Sequence, residues 1–180
     1  MSKSALKILR TAELLFNENS FTSIGVDLIR DVSGCSKTTM YTYYRNKNQL
    51  MNAVLIARDQ RFHHQLFAYI GDAQGKAAIY KILDWHVQWF KQDTFKGCLF
   101  IRAVAESRHL DHEFHSIAQQ HKQWIKQLIF QNCPINDQGQ IAELIYTLIE
   151  GLISRFLVDG FDEKVIRHVK IFIDQLNFSG

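Results

Sequence analysis

The residues best suited to binding chemistry lie in a short run that is hydroxylated and basic, followed closely by a further lysine. The candidate contact residues are Lys37, Thr38, Thr39, Tyr41, Thr42, Tyr43 and Lys47. Small hydroxylated and basic side chains can enter a DNA major groove and donate to phosphates and base edges. Lys47 falls in the first turn of a predicted helix, where exposed backbone N–H groups could hold a phosphate beside its ammonium group. The run therefore has the chemistry of a nucleic-acid contact.

The elements around this run predict a helix-turn-helix over residues 24–45. An amphipathic helix is predicted over residues 4–17, and a short second helix follows until Gly34, which suits a tight turn with positive φ. Ser36 is a good N-cap for a third helix. Met40 and Tyr44 lie four residues apart, on one face of that helix.

The order and spacing of these residues resemble the DNA-binding domain of the TetR (tetracycline repressor) family over about residues 5–54. The resemblance is carried by four segments: Leu15 to Phe21, Val26 to Gly34, Ser36 to Tyr44, and Lys47 to Leu50. A second likeness, from Lys96 to Glu106, is similar to a helix start in the ligand domains of that family. The resemblance implies an Ω-shaped, all-helical homodimer that reads a near-palindromic operator, and usually repression that a small molecule relieves.

The resemblance also implies a role for each candidate contact residue. By the family pattern, the residues that face the bases are Lys37, Thr38 and Thr42. Those that contact phosphates are Thr39, Tyr41, Tyr43 and Lys47. The same pattern implies that Met40 and Tyr44 face the core. Arg30 departs from the pattern, because it stands where a small alanine normally lets two helices pack closely. We expect its aliphatic stem to run outward while the guanidinium pairs with an acid or a phosphate.

Composition independently favours an all-α fold. Of the 180 residues, 47% are hydrophobic and 22% charged, which is typical of a folded domain with a sizeable core, and one proline and nine glycines are too few for the turns of an all-β fold. Hydrophobic periodicity predicts a long helix after Asn46 and further helices at about 76–91, 98–108, 111–131, 140–158 and 162–177. We predict a helix-turn-helix domain over 1–46 and a helical ligand-binding and dimerisation domain over 47–180.

Charge and cysteine content narrow the class of protein further. The first 50 residues hold seven Lys and Arg against four Asp and Glu, whereas the remainder holds 14 of each, so all of the net charge of +3 lies at the N-terminal end. That asymmetry is small but favours an anionic partner.

Three widely spaced cysteines predict reduced thiols rather than a disulfide framework. The absence of a long apolar run and of an export signal predicts a cytoplasmic protein with no membrane partner.

The middle of the chain is rich in aromatic residues, which is typical either of a ligand cavity or of an ordinary helical core. If it forms a cavity for an apolar or aromatic small molecule, its candidate lining residues are Trp85, Trp89, Phe100, His121, Trp124 and Tyr146. For each aromatic residue alone, core packing is the alternative. His121 lies on an apolar stripe, where a hydrogen-bonded core histidine is the usual finding.

The last two predicted helices carry more apolar residues than one core needs, which favours a symmetric dimer. The candidate interface residues are Ile145, Leu148, Ile149, Leu152, Phe156, Val165, Val169 and Phe172. Gly151 lies within the first of these helices, where glycine costs roughly 1 kcal/mol relative to alanine. Close approach of another helix is a reason for its presence.

A different class of function rests on histidines. His109, His112 and His115 could ligate a metal, since the last two lie three residues apart, and the alternative to DNA binding is a metal-binding helical enzyme or sensor. The bland interpretation of the same stretch is a solvated helix start. No catalytic motif or cofactor motif is present in the sequence, so we predict neither an enzyme nor a bound cofactor.

Overall fold

The computed structural model describes residues 1–107, 112–176 and 178, with the side chains of His112 and Ile135 excepted. Within these residues the chain forms helices and no strands, as the sequence predicts. The helices are α1 (Lys3–Glu18), α2 (Val26–Ser33), α3 (Lys37–Tyr43), α4 (Lys47–Ile70), α5 (Gly75–Phe90), α6 (Leu99–Glu106), α7 (His112–Phe130), α8 (Gln138–Asp159) and α9 (Glu163–Gln175), with a short 3-10 turn at Ile135–Asp137. The predicted helix boundaries agree with these to within about two residues.

The chain divides into two compact units that are not continuous in sequence. The first comprises Met1–Arg61 and Cys98–Gln120, and the second comprises Phe62–Gly97 and His121–Gly180. The sequence predicts a boundary between residues 46 and 47, where α4 begins. The compact units divide elsewhere because the first turns of α4, together with α6, complete the core around α1.

The core of the first unit gathers side chains from α1 to α4, α6 and α7. Phe16, Phe21, Phe100 and Phe114 are among its fully buried side chains, and the rings of Phe16 and Phe21 lie 4.8 Å apart. Burying aromatic side chains of this size contributes most of the stabilisation in a small core. Helices α2 and α3 therefore pack on a core to which α6 also contributes.

In the same unit, a partly buried group of ion pairs joins α1 to α4. The Glu13 carboxylate accepts from Arg58 at 3.2 Å and also from Arg61. Arg58 is largely removed from water, and burial lowers the pKa of its guanidinium while Glu13 opposes that shift. The carboxylate of Glu13 is itself only 14% exposed, so removing it would leave a buried charge without compensation.

The second unit is built on α5, α8 and α9 with parts of α4 and α7. Its core contains the apolar faces of α5 and α8, and His86 of α5 is completely buried among aromatic rings. Asp162 accepts a hydrogen bond from the Lys164 amide at 2.8 Å and so caps α9. None of the helices in the described part of the chain is long and apolar enough to cross a membrane.

Candidate nucleic-acid interface

The two sides of α3 differ sharply in exposure. Met40 is 2% exposed and Tyr44, directly after the helix, is 7% exposed, and the Tyr44 hydroxyl donates to the Ala5 carbonyl of α1 at 3.0 Å. Both were predicted to face the core, and both do. The opposite side of α3 is open to solvent, and one shallow surface depression there is lined by Lys37, Thr38, Tyr41 and Thr42.

Local capping explains why the chain turns and restarts at this point. Gly34 adopts φ 62°, in the left-handed region that favours glycine, and ends α2. Ser36 then accepts the Thr39 amide at 3.0 Å and begins α3. The Ser36 and Thr39 hydroxyls also lie 2.7 Å apart, and Thr42 donates to the Thr38 carbonyl at 2.9 Å. These bonds orient the hydroxyl groups of the exposed side.

Arg30 follows the expectation that its charge turns outward. It forms ion pairs with Asp27 at 3.0 Å and with Asp31 at 2.7 Å, so an arginine is accommodated where a small residue was expected. The hydrogen bond and the charge of Asp31 raise the pKa of Arg30. Asp27 also pairs with Lys37 at 3.3 Å, which places the side chain of a candidate base contact at the surface between α2 and α3.

Lys47 is the first residue of α4 and follows Tyr43, the last residue of α3, by four positions. Asn46 caps this helix by accepting the Gln49 amide at 2.8 Å. Lys47 is partly buried, and burial lowers the pKa of its ammonium group, while the nearby Glu106 carboxylate opposes that shift. Tyr41 and Tyr43 are 41% and 44% exposed. Large aromatic side chains exposed to this extent are typical of a surface that binds a partner.

A family model for the N-terminal region of "Bacterial regulatory proteins, tetR family" matches residues 8–54, the segment that contains every residue of this interface. This segment of the chain is similar to the N-terminal region of that family. It is 32% identical over 69 residues to a protein named as an uncharacterized HTH-type transcriptional regulator from Mycobacterium tuberculosis. That match covers 38% of this chain and 34% of the relative, so it spans about a third of the relative's length.

Solved structures extend the likeness in fold beyond the tetR-family segment. A TetR-family transcriptional regulator from Streptomyces coelicolor superposes with a TM-score of 0.86 at 22% identity, over 95% of this chain and 94% of that one. A TetR transcriptional regulator from Legionella pneumophila gives 0.80 at 19% identity, over 97% of both chains. At 22% identity or below, these likenesses show the fold that the chain shares with the two structures.

The predicted ligand residues are only partly brought together. Phe100 lies in the core of the first unit, whereas Trp85, Trp89, His121, Trp124 and the half-buried Tyr146 lie in the second. Phe62 is the ring that links three of these residues, with centroids 4.4 Å from Trp85, 4.9 Å from His121 and 6.3 Å from Trp124. Phe62 was not among the predicted ligand residues, because its position on an apolar stripe of a helix does not distinguish it from other core residues.

The predicted interface residues also separate into two sets. Ile145, Ile149, Leu152 and Phe156 are at most 5% exposed and pack inside the chain itself. Leu148, Val165, Val169 and Phe172 instead line an open surface depression between α8 and α9, with Arg155, Asp162, Lys164 and His168 around them. Periodicity alone could not separate these sets, since α8 is apolar on nearly all sides.

The histidine cluster falls largely outside what the structure describes. His109 and the side chain of His112 are not among the described residues, and His115 lies 3.5 Å from the Ser107 hydroxyl. The three cysteines are free thiols: Cys35 and Cys98 are half-buried and Cys133 is buried. Burial raises the pKa of the Cys133 thiol to about 11, which disfavours the thiolate at neutral pH.

Proposed function

We propose that this protein is a DNA-binding transcriptional regulator that inserts α3 into the major groove of its operator. The observation that carries the proposal is the division of α3 into a buried side and an exposed side rich in threonine, tyrosine and lysine. An exposed helix with small hydroxylated and basic side chains fits the width of a major groove. The naming of the M. tuberculosis relative as an HTH-type transcriptional regulator supports the same proposal.

Within that proposal, some contact residues bind base edges and the others bind phosphates. Lys37, Thr38 and Thr42 lie on the side of α3 that is open to solvent, and we assign them to base edges. The residues assigned to phosphates are Thr39, Tyr41, Tyr43 and Lys47. Lys47 is well placed for this role, since the N-terminus of α4 adds its backbone N–H groups to the ammonium charge.

The protein is proposed to act as a homodimer through α8 and α9. Leu144, Leu148, Gly151, Arg155 and Val158 recur at spacings of three and four residues, and therefore form one stripe along α8. Val158 is 81% exposed and Leu144 is 43% exposed. A second copy placed on this stripe, and on the adjoining face of α9, would remove these apolar side chains from water. A dimer would present two α3 helices to half-sites about 34–36 Å apart.

A small apolar or aromatic effector is proposed to bind in the second unit. The cluster of Phe62, Trp85, His121 and Trp124 supplies aromatic surface, and the buried His86 lies beside it. An effector that released DNA would have to bind more tightly to the conformation in which the heads no longer match the operator. Because its partner is genomic DNA, the protein is proposed to act in the cytoplasm.

Selection from random-sequence duplex DNA, followed by titration at several salt concentrations, tests the proposal. We expect the purified protein to enrich a palindrome bound by one dimer. The affinity should fall steeply with salt, as expected for about 6–10 neutralised phosphates. If a folded dimer refolded from denaturant, and so free of any co-purified ligand, enriches no sequence and binds random DNA no better than a neutral protein does, the proposal is wrong.

A further inference from the structure

Two side chains of α6 contact the segment that leads into the helix-turn-helix. Arg102 donates from a single nitrogen, Nη1, to the carbonyl oxygens of Phe16 at 3.1 Å, Asn17 at 3.0 Å and Asn19 at 2.9 Å. These carbonyls lie at the C-terminus of α1, where helix carbonyls have no partner within the helix. The last turn of α1 contains no basic residue of its own. The favourable cation at this helix end is therefore supplied by α6.

The second side chain holds the turn between α1 and α2. Glu106 accepts the Thr22 amide at 3.0 Å and the Thr22 hydroxyl at 3.3 Å, both through Oε2. Inside the turn, the Ser20 hydroxyl accepts the Ser23 amide at 2.9 Å and lies 3.1 Å from that of Thr22. The helix that follows, α2, has Gly25 at its N-cap position and therefore no side-chain cap. Glu106 thus ties the turn that leads into α2 to α6.

Arg102 and Glu106 lie four residues apart, on one face of α6. The adjacent face carries Leu99, Phe100 and Ala103, which are buried in the same core as α1. The core fixes α6, and its polar face then fixes the end of α1 and the start of α2. We propose that Arg102 and Glu106 are positioning residues that hold the helix-turn-helix in the orientation required for operator recognition.

This inference rests on the proposed DNA-binding function, but its first test needs no DNA. Amide hydrogen exchange is measured in the free protein for Glu106→Ala, Glu106→Gln and the wild type. The Thr22 amide should exchange about tenfold faster in Glu106→Ala, which loses a hydrogen bond to a charged acceptor. Glu106→Gln removes the same charge and keeps an acceptor oxygen, so its Thr22 amide should stay within about threefold of the wild type.

The second test measures the ratio of operator affinity to random-DNA affinity. Arg102→Gln should lower this ratio about tenfold, since it removes a charged group that donates to three carbonyls at the end of α1. Arg102→Lys, which keeps the charge, should restore part of the ratio. Arg167→Gln removes the same charge from an exposed position of α9 and serves as the matched control, with the wild-type ratio expected. Thermal unfolding of each variant reports whether it is folded.

The two tests separate the possible failures. Wild-type Thr22 exchange in a folded Glu106→Ala protein would overturn the inference, whatever happens with DNA. An unchanged affinity ratio in Arg102→Gln would overturn it as well, because the end of α1 would then not govern recognition. If the wild-type protein selects no operator, the proposed function fails, and the exchange of the Thr22 amide in Glu106→Ala and Glu106→Gln alone decides whether Glu106 holds the turn before α2.

Discussion

At the scale of single residues, Lys37 and Lys47 have the same charge but different surroundings. Lys37 is exposed on α3, where its ammonium group pairs with the exposed Asp27 carboxylate of α2, whereas Lys47 is partly buried at the start of α4. A base contact carries sequence information, whereas a phosphate contact carries almost none. The two lysines should therefore have separable effects on DNA binding.

We expect Lys37→Ala to relax sequence preference by about 1–3 kcal/mol at one position of each half-site. Lys47→Ala should instead weaken binding to operator and random DNA by the same factor, and should reduce the slope of log K against log salt by about 0.9 per protomer. Tyr41→Phe should weaken all DNA binding equally without changing that slope, since a hydroxyl releases no counterion. Fluorescence anisotropy with matched and mismatched duplexes measures all three. The opposite pattern, with preference lost in Lys47→Ala, would contradict the assignment.

At the scale of elements, helix positions and the buried side of α3 were predictable from the sequence. Caps such as Ser36, the turn glycine Gly34 and the four-residue spacing of Met40 and Tyr44 act over a few residues, so the local sequence contains the information. The contacts of α6 could not be predicted in the same way. Arg102 and Phe16 are separated by 86 positions, and only the folded core brings them together.

The same limit applies to α8, where burial depends on which neighbours pack against each side. Ile145 and Leu148 are both apolar and three residues apart, yet only Ile145 is fully buried in the chain. Gly151 lies on the stripe with Leu148, and a Cβ added there would meet nothing within 4 Å. No packing within the chain requires a glycine at this position. Close approach of a second copy of α8 would require one.

We therefore expect Gly151→Glu to prevent dimerisation while leaving the protomer folded. The substitution should add roughly 0.5–1 kcal/mol of helix stability in the monomer, because glycine is a poor helix former. At a dimer contact it would introduce bulk and charge. Sedimentation equilibrium measures the dissociation constant, and circular dichroism measures the helix content. Gly139→Glu is a matched control, since it too has open space around it and lies in the first turn of the same helix. A dimer of unchanged affinity in Gly151→Glu would place the interface elsewhere.

At the scale of the whole molecule, fold and recognition place different demands on the sequence. The fold is shared with solved structures at only 22% identity or below, because a helical core accepts many side chains of suitable volume. Residues 8–54, by contrast, match a family model, as the proposed DNA contacts of α3 would require, since base recognition needs particular side chains at particular positions. The second unit shares its fold with the solved structures but lies outside the segment that the family model matches. Its aromatic cluster is therefore best tested through its effect on the stability of the whole protein.

His86 makes that test possible, because it is buried completely and its Nδ1 lies 2.8 Å from the Ile82 carbonyl. Burial, together with the charges of Lys122 and His121, lowers the pKa of His86 to about 4. The folded protein then keeps His86 neutral at pH values where the unfolded chain, with a pKa near 6.5, takes up a proton. The contribution of neutral His86 to the free energy of unfolding is complete above pH 6.5 and is lost as the pH falls toward 4.

We expect the free energy of unfolding to fall by about 2 kcal/mol between pH 7.5 and pH 5 on account of His86 alone. Urea unfolding at several pH values and a fixed protomer concentration measures this change. His86→Gln should be less stable at pH 7.5 but should show a flatter profile over the same range, because it has no proton to bind. His64→Gln, an exposed histidine of α4, should keep the wild-type slope. If His86→Gln loses stability with acid as steeply as the wild type, another group governs the response.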